Sequence, residues 1–373
     1  MITNEELLMN NTHALHALGQ SLWLDNITRE ILDDGTLARY ISDYSVTGLT
    51  SNPTIFDEAI AGTAAYDADI LTLAGRGIHG EDAFIHVALD DLRRAADLFA
   101  PIHAQSRGVD GWVSMEVSPL LAADTAGTIA AAQAIHAQAQ RKNLFVKIPG
   151  TPEGIPAIEE AIYAGVPVNV TLLFSREQYL AAAQAWLRGI ERRIAAGLDA
   201  NVASVASVFV SRWDKAVAGQ VSAELKNRLG IAIGQRTYRA YRQFLASGPM
   251  RKALAAGAQP QRLLWASTGT KDPQASDVLY IEALAAADTI DTMPEKTLKA
   301  FADHGRSDQG LTEGDDGEAM LARFAAAGID IDALATRLQV EGAAAFVKSW
   351  QEMLARVAAK ASRLAEPGVA GTM

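Results

Sequence analysis

The chain of 373 residues is 49% hydrophobic and has a formal net charge of −11, with no basic block that could follow a phosphate backbone, so nucleic acid is not an expected partner. It contains no cysteine, which excludes disulfides and thiolate chemistry and leads us to expect a cytoplasmic protein. The first fifteen residues are acidic without an apolar core, and no run of ~18 apolar residues occurs, so we expect neither a signal peptide nor a membrane span.

Short apolar segments alternate with longer alanine-rich, helix-periodic stretches through most of the chain. We predict strands at about 21–25, 46–51, 111–117, 143–148, 167–173, 202–210, 262–267 and 288–293. Eight strands alternating with helices, without a hairpin signal, predict a (β/α)8 TIM barrel, an α/β fold. An open doubly wound sheet is the alternative on pattern alone, and the count of eight favours closure.

Two connections carry local signals. The interval 54–110 is too long for one crossover, and we predict two helices in it, split near residues 75–80. Ser175 and Gln178 fit a capping box, which predicts a helix over residues 179–196.

Both ends of the chain exceed a minimal barrel. We predict one barrel domain over residues 1–373, with about 1–20 and 305–373 as helical or loop extensions. In the tail, one helix face is formed by apolar residues at i, i+4, i+8 and i+11, namely Phe346, Trp350, Leu354 and Val357. We expect that face to pack over the barrel or over a second subunit, so a homo-oligomer is one of two alternatives.

Lys147 is the only charge in the apolar segment 143–149. A strand of this kind is normally buried on both faces of a parallel sheet, where an unpaired ammonium costs several kcal/mol. Burial favours the neutral amine, which is the nucleophilic form. Because Leu144, Val146 and Ile148 take the outward parity, we predict that Lys147 points into the barrel near its C-terminal end, where barrel active sites lie.

Other strands place polar residues on the inward parity at the same end. They are Asp25, Thr50, Asn52, Ser114, Glu116, Asn169, Thr171 and Ser207, followed by Arg212 after strand six and Ser267 and Lys271 after strand seven. Each alone is typical of a cap or a turn, but chance placement would scatter them. In strand five the same alternation predicts that Val168, Val170 and Leu172 face outward.

A lysine and two carboxylates at one barrel mouth suit imine chemistry. The amine attacks a ketone, and the cationic imine then accepts the electrons of the adjacent carbon–carbon bond. Asp25 and Glu116 are candidates for the two acid/base steps, and Arg212 and Lys271 for a phosphate. The seven histidines show no pair with ligand spacing, so we expect neither a metal nor another cofactor.

Seven segments carry a resemblance to the transaldolase family, in particular its longer bacterial branch. They are residues 23–26 (WLDN), 47–56 (TGLTSNPTIF), 113–117 (VSMEV), 143–151 (NLFVKIPGT), 168–175 (VNVTLLFS), 207–212 (SVFVSR) and 289–294 (TIDTMP). Their order follows that of the family, and each falls at a predicted strand end.

The resemblance implies a class I aldolase-like barrel that transfers dihydroxyacetone from sedoheptulose 7-phosphate to glyceraldehyde 3-phosphate in the non-oxidative pentose phosphate pathway. It implies that Lys147 forms the Schiff base, that Asp25 acts on the C4 hydroxyl, and that Glu116 and Thr171 act through a water. Asn52, Asn169 and Ser207 would hold the dihydroxyacetone hydroxyls, and Arg212 with Ser267 the phosphate.

One position departs from the better-known branch, which has a second arginine shortly after the serine of strand seven. Here residues 267–271 read STGTK, and Lys271 or the loop backbone would substitute. A lysine is a point charge rather than a bidentate fork. Two other functions remain open. One is a lysine-dependent aldolase that releases free dihydroxyacetone, and the other is a non-catalytic barrel that binds sugar phosphates.

Overall fold

Eight parallel strands form the centre of the molecule in a computed structural model that describes residues 10–308, 310–312, 314 and 316–365. The strands are β1 Ser21–Asp25, β2 Val46–Thr50, β3 Val113–Glu116, β4 Leu144–Pro149, β5 Val168–Leu173, β6 Ser204–Phe209, β7 Arg262–Ala266 and β8 Thr289–Met293. Their order is β2-β1-β8-β7-β6-β5-β4-β3, and a parallel bridge between Gly48 and Trp112 joins the two edges. The predicted (β/α)8 barrel is therefore confirmed, and all eight strands lie within the predicted segments or overlap them.

Helices connect the strands on the outside of this barrel. Within the described residues they are α1 Asn11–Ala17, α2 Arg29–Asp33, α3 Thr36–Tyr44, α4 Pro53–Gly62, α5 Asp67–Gly75, α6 Gly80–Gln105, α7 Thr125–Ala139, α8 Gly154–Tyr163, α9 Arg176–Ala195, α10 Ser211–Val217, α11 Leu229–Leu245, α12 Gly248–Ala255, α13 Leu279–Ala283, α14 Glu295–His304, α15 Glu318–Ala326 and α16 Ile331–Ala365. None of these helices is both long and apolar enough to cross a membrane.

The interval 54–110 contains parts of three helices rather than the two predicted. The predicted break at residues 75–80 is present between α5 and α6, but a second break separates α4 from α5. The N-cap of α5 is Tyr66, whose side chain makes no capping hydrogen bond, so the usual start signal is missing from the sequence.

The capping box predicted after β5 is confirmed. The hydroxyl of Ser175 accepts from the backbone N–H of Gln178 at 3.2 Å, and the Gln178 side chain accepts from the backbone N–H of Ser175 at 3.3 Å. These two bonds satisfy backbone donors that the first turn of α9 leaves free, so the helix begins at Arg176.

Aromatic side chains fill the interior of the barrel on the N-terminal side of Lys147. The rings of Trp112 and Phe145 stack with centroids 4.0 Å apart, and Trp23 lies 6.1 Å from Phe145. Gly48 allows this packing, because a Cβ there would lie 2.7 Å from the Trp23 ring. This packed aromatic layer begins two residues before Lys147, and the cavity that Lys147 lines lies at the C-terminal ends of the strands.

The prediction that Leu172 faces outward is wrong. Its φ is +57°, the pairing of β5 with β6 shifts register between Val170 and Leu173, and Leu173 takes the outward position instead. Leu172 packs with Phe174 and Phe209 near the mouth of the barrel. A left-handed residue within a strand breaks strict alternation, and a leucine gives no sign of it in the sequence.

The C-terminal helix α16 packs across the barrel. Trp350 and Val357, on the predicted apolar face, are buried, and Leu354 is partly buried against the same core. Arg356 pairs with Asp57 at 2.7 Å and Lys360 with Asp67 at 2.6 Å, which fixes the helix to α4 and α5. Of the two alternatives for this face, the barrel is therefore the surface that it contacts within the chain.

Candidate active site

The C-terminal ends of the strands surround a cavity of about 560 Å³. Nine of the ten predicted site residues line it: Asp25, Asn52, Lys147, Asn169, Thr171, Ser207, Arg212, Ser267 and Lys271. The tenth, Glu116, lies beside Lys147 and lines a second, small cavity of about 30 Å³ together with Lys147 and Thr171. The C-terminal end of the barrel, with its strand ends and the loops that follow them, therefore brings together residues that are up to 246 positions apart in the sequence.

Lys147 lies deep in the barrel wall and is paired. Its Nζ is 2.7 Å from Oε1 of Glu116, its register neighbour on β3, and donates to the backbone carbonyl of Ser51 at 2.6 Å. The Lys147 and Glu116 side chains are each 9% exposed. The carboxylate and the carbonyl thus compensate the burial of the ammonium that the sequence made conspicuous.

The two predicted acid/base carboxyl groups, Asp25 and Glu116, have raised pKa values. Burial raises the pKa of Glu116, and the positive charge of Lys147 opposes that rise. Burial likewise raises the pKa of Asp25, opposed by Lys147 and by hydrogen bonds from Thr50 and Asn52. The Thr50 bond, from Oγ1 to Asp25 Oδ1, is 2.8 Å long. A carboxyl whose pKa is raised by burial binds a proton more readily than an exposed one, which suits a group that must both accept and return a proton.

Amides and hydroxyls form the wall beside Lys147. The Ser207 hydroxyl donates to Oδ1 of Asn169 at 2.7 Å, and Nδ2 of Asn169 donates to the Ser114 hydroxyl at 3.3 Å. Asn52 stands at the N-cap of α4, where its Oδ1 accepts from the backbone N–H of Ile55 at 3.1 Å. This network fixes the orientation of polar groups that face the cavity.

Arg212 is the strongest candidate for binding an anion in the cavity. Its guanidinium lies 5.2 Å from the centre of the Phe209 ring and, among the described residues, has neither an ion pair nor a hydrogen bond. Desolvation lowers its pKa, and a bound anion would offset that cost. Ser267 is adjacent, with its hydroxyl 3.0 Å from that of Ser211, whereas Lys271 is exposed at the rim.

Sequence reasoning missed several residues of the site. The hydroxyl oxygens of Thr292, on β8, and Thr50 are 2.7 Å apart, and Thr292 lines the cavity. Phe346 and Ser349 of α16 also line the cavity. The periodic tail pattern pointed to a buried face, but nothing in the sequence indicated that this face reaches the site.

A hydrogen bond to a side chain of β8 fixes the loop that follows β7. The hydroxyl of Thr268 donates to Oδ1 of Asp291 at 2.8 Å, and both residues are fully buried. Burial raises the pKa of Asp291 to about 7. Asp291 therefore changes its protonation state near neutral pH, next to the loop that carries Ser267.

An eight-stranded parallel barrel with a buried lysine–carboxylate pair at its C-terminal end is the arrangement expected of a lysine-dependent aldolase-type barrel. The sequence matches the family model described as Transaldolase/Fructose-6-phosphate aldolase over residues 22–357, so the chain belongs to this enzyme family. The resemblance inferred from the seven segments is confirmed.

Curated relatives cover nearly the whole chain. A transaldolase of Thiobacillus denitrificans is 45% identical over 359 residues, which are 94% of this chain and 100% of the relative. Transaldolases of Saccharopolyspora erythraea and Neisseria gonorrhoeae are 44% and 41% identical, covering 93% and 91% of this chain and 97% of each relative.

Proposed function

We propose that this protein is a transaldolase, which transfers a dihydroxyacetone unit from sedoheptulose 7-phosphate to glyceraldehyde 3-phosphate. The products are erythrose 4-phosphate and fructose 6-phosphate, and the reaction belongs to the non-oxidative pentose phosphate pathway. The observation that carries the proposal is the buried pair of Lys147 and Glu116, 2.7 Å apart, beside a cavity that also contains Asp25.

Imine formation begins with the amine of Lys147 and the ketone carbon of the donor sugar. Glu116 accepts the proton that the ammonium must lose, and protons then move to the departing hydroxyl through a water held at Thr171. The small cavity supports this role, since its 30 Å³ exceeds the ~10–15 Å³ that a water needs and Glu116, Lys147 and Thr171 all line it.

Carbon–carbon cleavage follows from the cationic imine. Asp25 takes the proton of the C4 hydroxyl, the C3–C4 bond breaks, and its electron pair neutralises the imine to an enamine. The aldose leaves, and the enamine attacks the aldehyde of the acceptor while Asp25 returns the proton. Hydrolysis of the new imine, through Glu116 and the water, releases the product and regenerates the amine.

Substrate recognition divides along the cavity. Asn52, Asn169 and Ser207 hold the hydroxyls of the dihydroxyacetone unit near Lys147. Arg212 binds the terminal phosphate with help from Ser267, because an unpaired, partly desolvated guanidinium suits a phosphate. Lys271 contributes long-range attraction from the rim, where it replaces the second arginine of the better-known branch.

The barrel and its extensions act as one functional domain in this proposal, because α16 supplies part of the cavity wall. The lack of cysteine and the sugar-phosphate substrates support a location in the cytoplasm.

The second candidate function is a fructose 6-phosphate aldolase that releases free dihydroxyacetone, since the matching family model covers both activities. Product analysis with fructose 6-phosphate, with and without erythrose 4-phosphate, separates the two. A transaldolase forms sedoheptulose 7-phosphate at a rate that depends on the acceptor and releases little free dihydroxyacetone. Steady release of dihydroxyacetone without an acceptor would contradict the proposal, and a Lys147→Met variant serves as the inactive control.

A further inference from the structure

One face of α16 is turned toward the ends of β4 and β5. Gln339, Gly342, Ala343 and Phe346 recur at i, i+3, i+4 and i+7, so they lie on one side of the helix. The side chain of Gln339 is buried, and its Nε2 donates to two backbone carbonyls, Gly150 at 3.0 Å and Leu172 at 2.9 Å. A single amide therefore joins the C-terminal helix to two strand ends.

The two carbonyls need this donor because the β4–β5 ladder ends beneath them. The last ladder bond is donated by the backbone N–H of Gly150 to the carbonyl of Thr171 at 2.7 Å. The pairing of β4 with β5 ends at Pro149 and Thr171, and the next residue of β5, Leu172, has a left-handed backbone. Buried carbonyls without a partner destabilise a fold, and Gln339 supplies the donors that the sheet no longer provides.

The bonded carbonyls are close in sequence to catalytic candidates. Leu172 follows Thr171 directly, and Gly150 lies three residues beyond Lys147 on the same strand end. The helix also closes the small cavity, since Ala343 and Phe346 line it together with Thr171 and Lys147. A shift of the helix at Gln339 would therefore move both the hydroxyl of Thr171 and the wall of the water cavity.

Gly342 keeps the helix at this distance. Its ideal Cβ would lie 3.0 Å from Cδ2 of Leu172 and 3.3 Å from Nη1 of Arg212, closer than ordinary contacts. Glycine in the middle of a helix is unfavourable by propensity, so its presence here is explained by the close approach of the helix to Leu172.

We propose that Gln339 is a positioning residue for the imine steps: by bridging the carbonyls of Gly150 and Leu172, it holds Thr171 and the water cavity in register with the Lys147–Glu116 pair. This inference rests on the proposed function, because it assigns Gln339 a part in forming and hydrolysing the imine. Gln339 is not among the residues that line the substrate cavity, and α16 acts through it on β4 and β5.

The test compares variants that lack the donor with one that retains it. Gln339→Leu and Gln339→Met remove the amide donor without adding a charge, whereas Gln339→Lys restores an N–H donor on a longer side chain. The same helix provides a precedent, since Lys360, which is paired with Asp67, donates to the carbonyls of Ile60, at 2.7 Å, and Thr63. Val340→Ala is the matched control, because Val340 is the next residue and its side chain is 65% exposed.

The readouts are the rate of imine formation, from borohydride quenching at increasing times with fructose 6-phosphate, and the exchange of the ketone oxygen with labelled water. We expect both rates to fall at least tenfold in the two donor-free variants, with KM for erythrose 4-phosphate changed less than threefold. Gln339→Lys should lie within threefold of the unmodified protein, and Val340→Ala should equal it.

Each outcome decides the inference. If the unmodified protein forms no imine, the proposed function fails. If it forms one and the folded donor-free variants form it equally fast, the role of Gln339 is overturned while the function stands. Should Gln339→Leu not fold, Gln339→Met gives the same comparison, because methionine is unbranched like glutamine and has no N–H or O–H donor. A slow Gln339→Lys variant that is as thermally stable as the unmodified protein would also overturn the role assigned to the donor.

Discussion

The Nζ of Lys147 lies 2.7 Å from Oε1 of Glu116, and the two side chains are each 9% exposed. Parallel pairing sets this distance, because Glu116 on β3 and Lys147 on β4 are direct register partners with the same inward parity. In the proposed mechanism, Glu116 is the acceptor for the proton that the Lys147 amine must lose before it attacks a carbonyl. The pairing also makes each partner dependent on the other for its burial.

Replacing Lys147 with methionine should abolish turnover, because the other lysine that lines the cavity within the described residues, Lys271, lies at the rim. The change also leaves Glu116 buried without its counter-charge, which costs up to about 3–5 kcal/mol when the carboxylate is ionised. Urea unfolding should therefore show a loss of stability that becomes smaller as the pH is lowered and Glu116 takes up a proton. A double variant with Glu116→Gln should recover much of the loss at pH 8, and a loss that does not change with pH would contradict the assigned pairing.

The acid limb of the pH profile of kcat/KM should lie above the ordinary aspartate value. Burial raises the pKa values of Asp25 and Glu116, so both groups become protonated at a higher pH than exposed carboxyls. Protonation removes the base that each step needs, and activity should fall as the pH decreases through these raised values. Asp25→Asn should lower kcat by ~10²–10⁴ while still permitting imine formation at Lys147. An acid limb at the pKa of an exposed aspartate would contradict the effect of burial.

Arg212 and Lys271 should differ in their contribution to phosphate binding. Arg212→Met removes a partly desolvated guanidinium, and a charge-assisted hydrogen bond is worth about 1.5–3 kcal/mol, so KM for glyceraldehyde 3-phosphate should rise roughly 10–100-fold. Lys271 is exposed, and Lys271→Met should raise KM by less than about fivefold, mostly at low salt. Unphosphorylated glyceraldehyde is the control, since neither change should affect its use. A larger effect at Lys271 than at Arg212 would reverse the assignment.

Asp291 should make folding stability depend on pH in the direction opposite to that of a salt-bridged carboxylate. Burial raises its pKa in the folded protein to about 7, against 3.8 for an exposed aspartate. Its contribution is therefore complete below pH 3.8 and is lost as the pH rises to about 7, by ~4 kcal/mol in total.

Asp291→Asn tests this, because asparagine still offers an oxygen to Thr268 but does not ionise. The stability of the variant relative to the unmodified protein, measured by urea unfolding, should improve between pH 5 and pH 8. A constant difference over that range would show that Asp291 does not change its protonation there.

The parts of the structure that the sequence predicts are those that depend on patterns among neighbouring residues. The strands of the barrel are short apolar runs whose alternation is a property of neighbouring residues, so Lys147, Asp25 and Asn169 could be directed inward without knowledge of the fold. Closure of eight such strands then brings their ends together.

The sequence-based predictions fail where the structure depends on contacts between distant residues or on an unusual backbone conformation. Leu172 has a left-handed backbone that no leucine signals, and the break before α5 lacks a capping residue. Gln339 donates a hydrogen bond to Gly150, 189 residues away in the sequence. The hydrogen bond from Thr268 to Asp291 forms only when β7 and β8 lie side by side. A periodic pattern predicts that such residues are buried but does not predict their partners.

Borohydride trapping tests the central claim most directly. Incubation with fructose 6-phosphate and reduction should add the mass of one reduced dihydroxyacetone unit per chain, and peptide mapping should place it on Lys147. Lys142→Met, which removes an exposed lysine of the segment preceding β4, should be labelled like the unmodified protein, and Lys147→Met should not be labelled. An adduct on another lysine, or none under conditions where the carbon unit is transferred, would contradict a Schiff-base mechanism at Lys147.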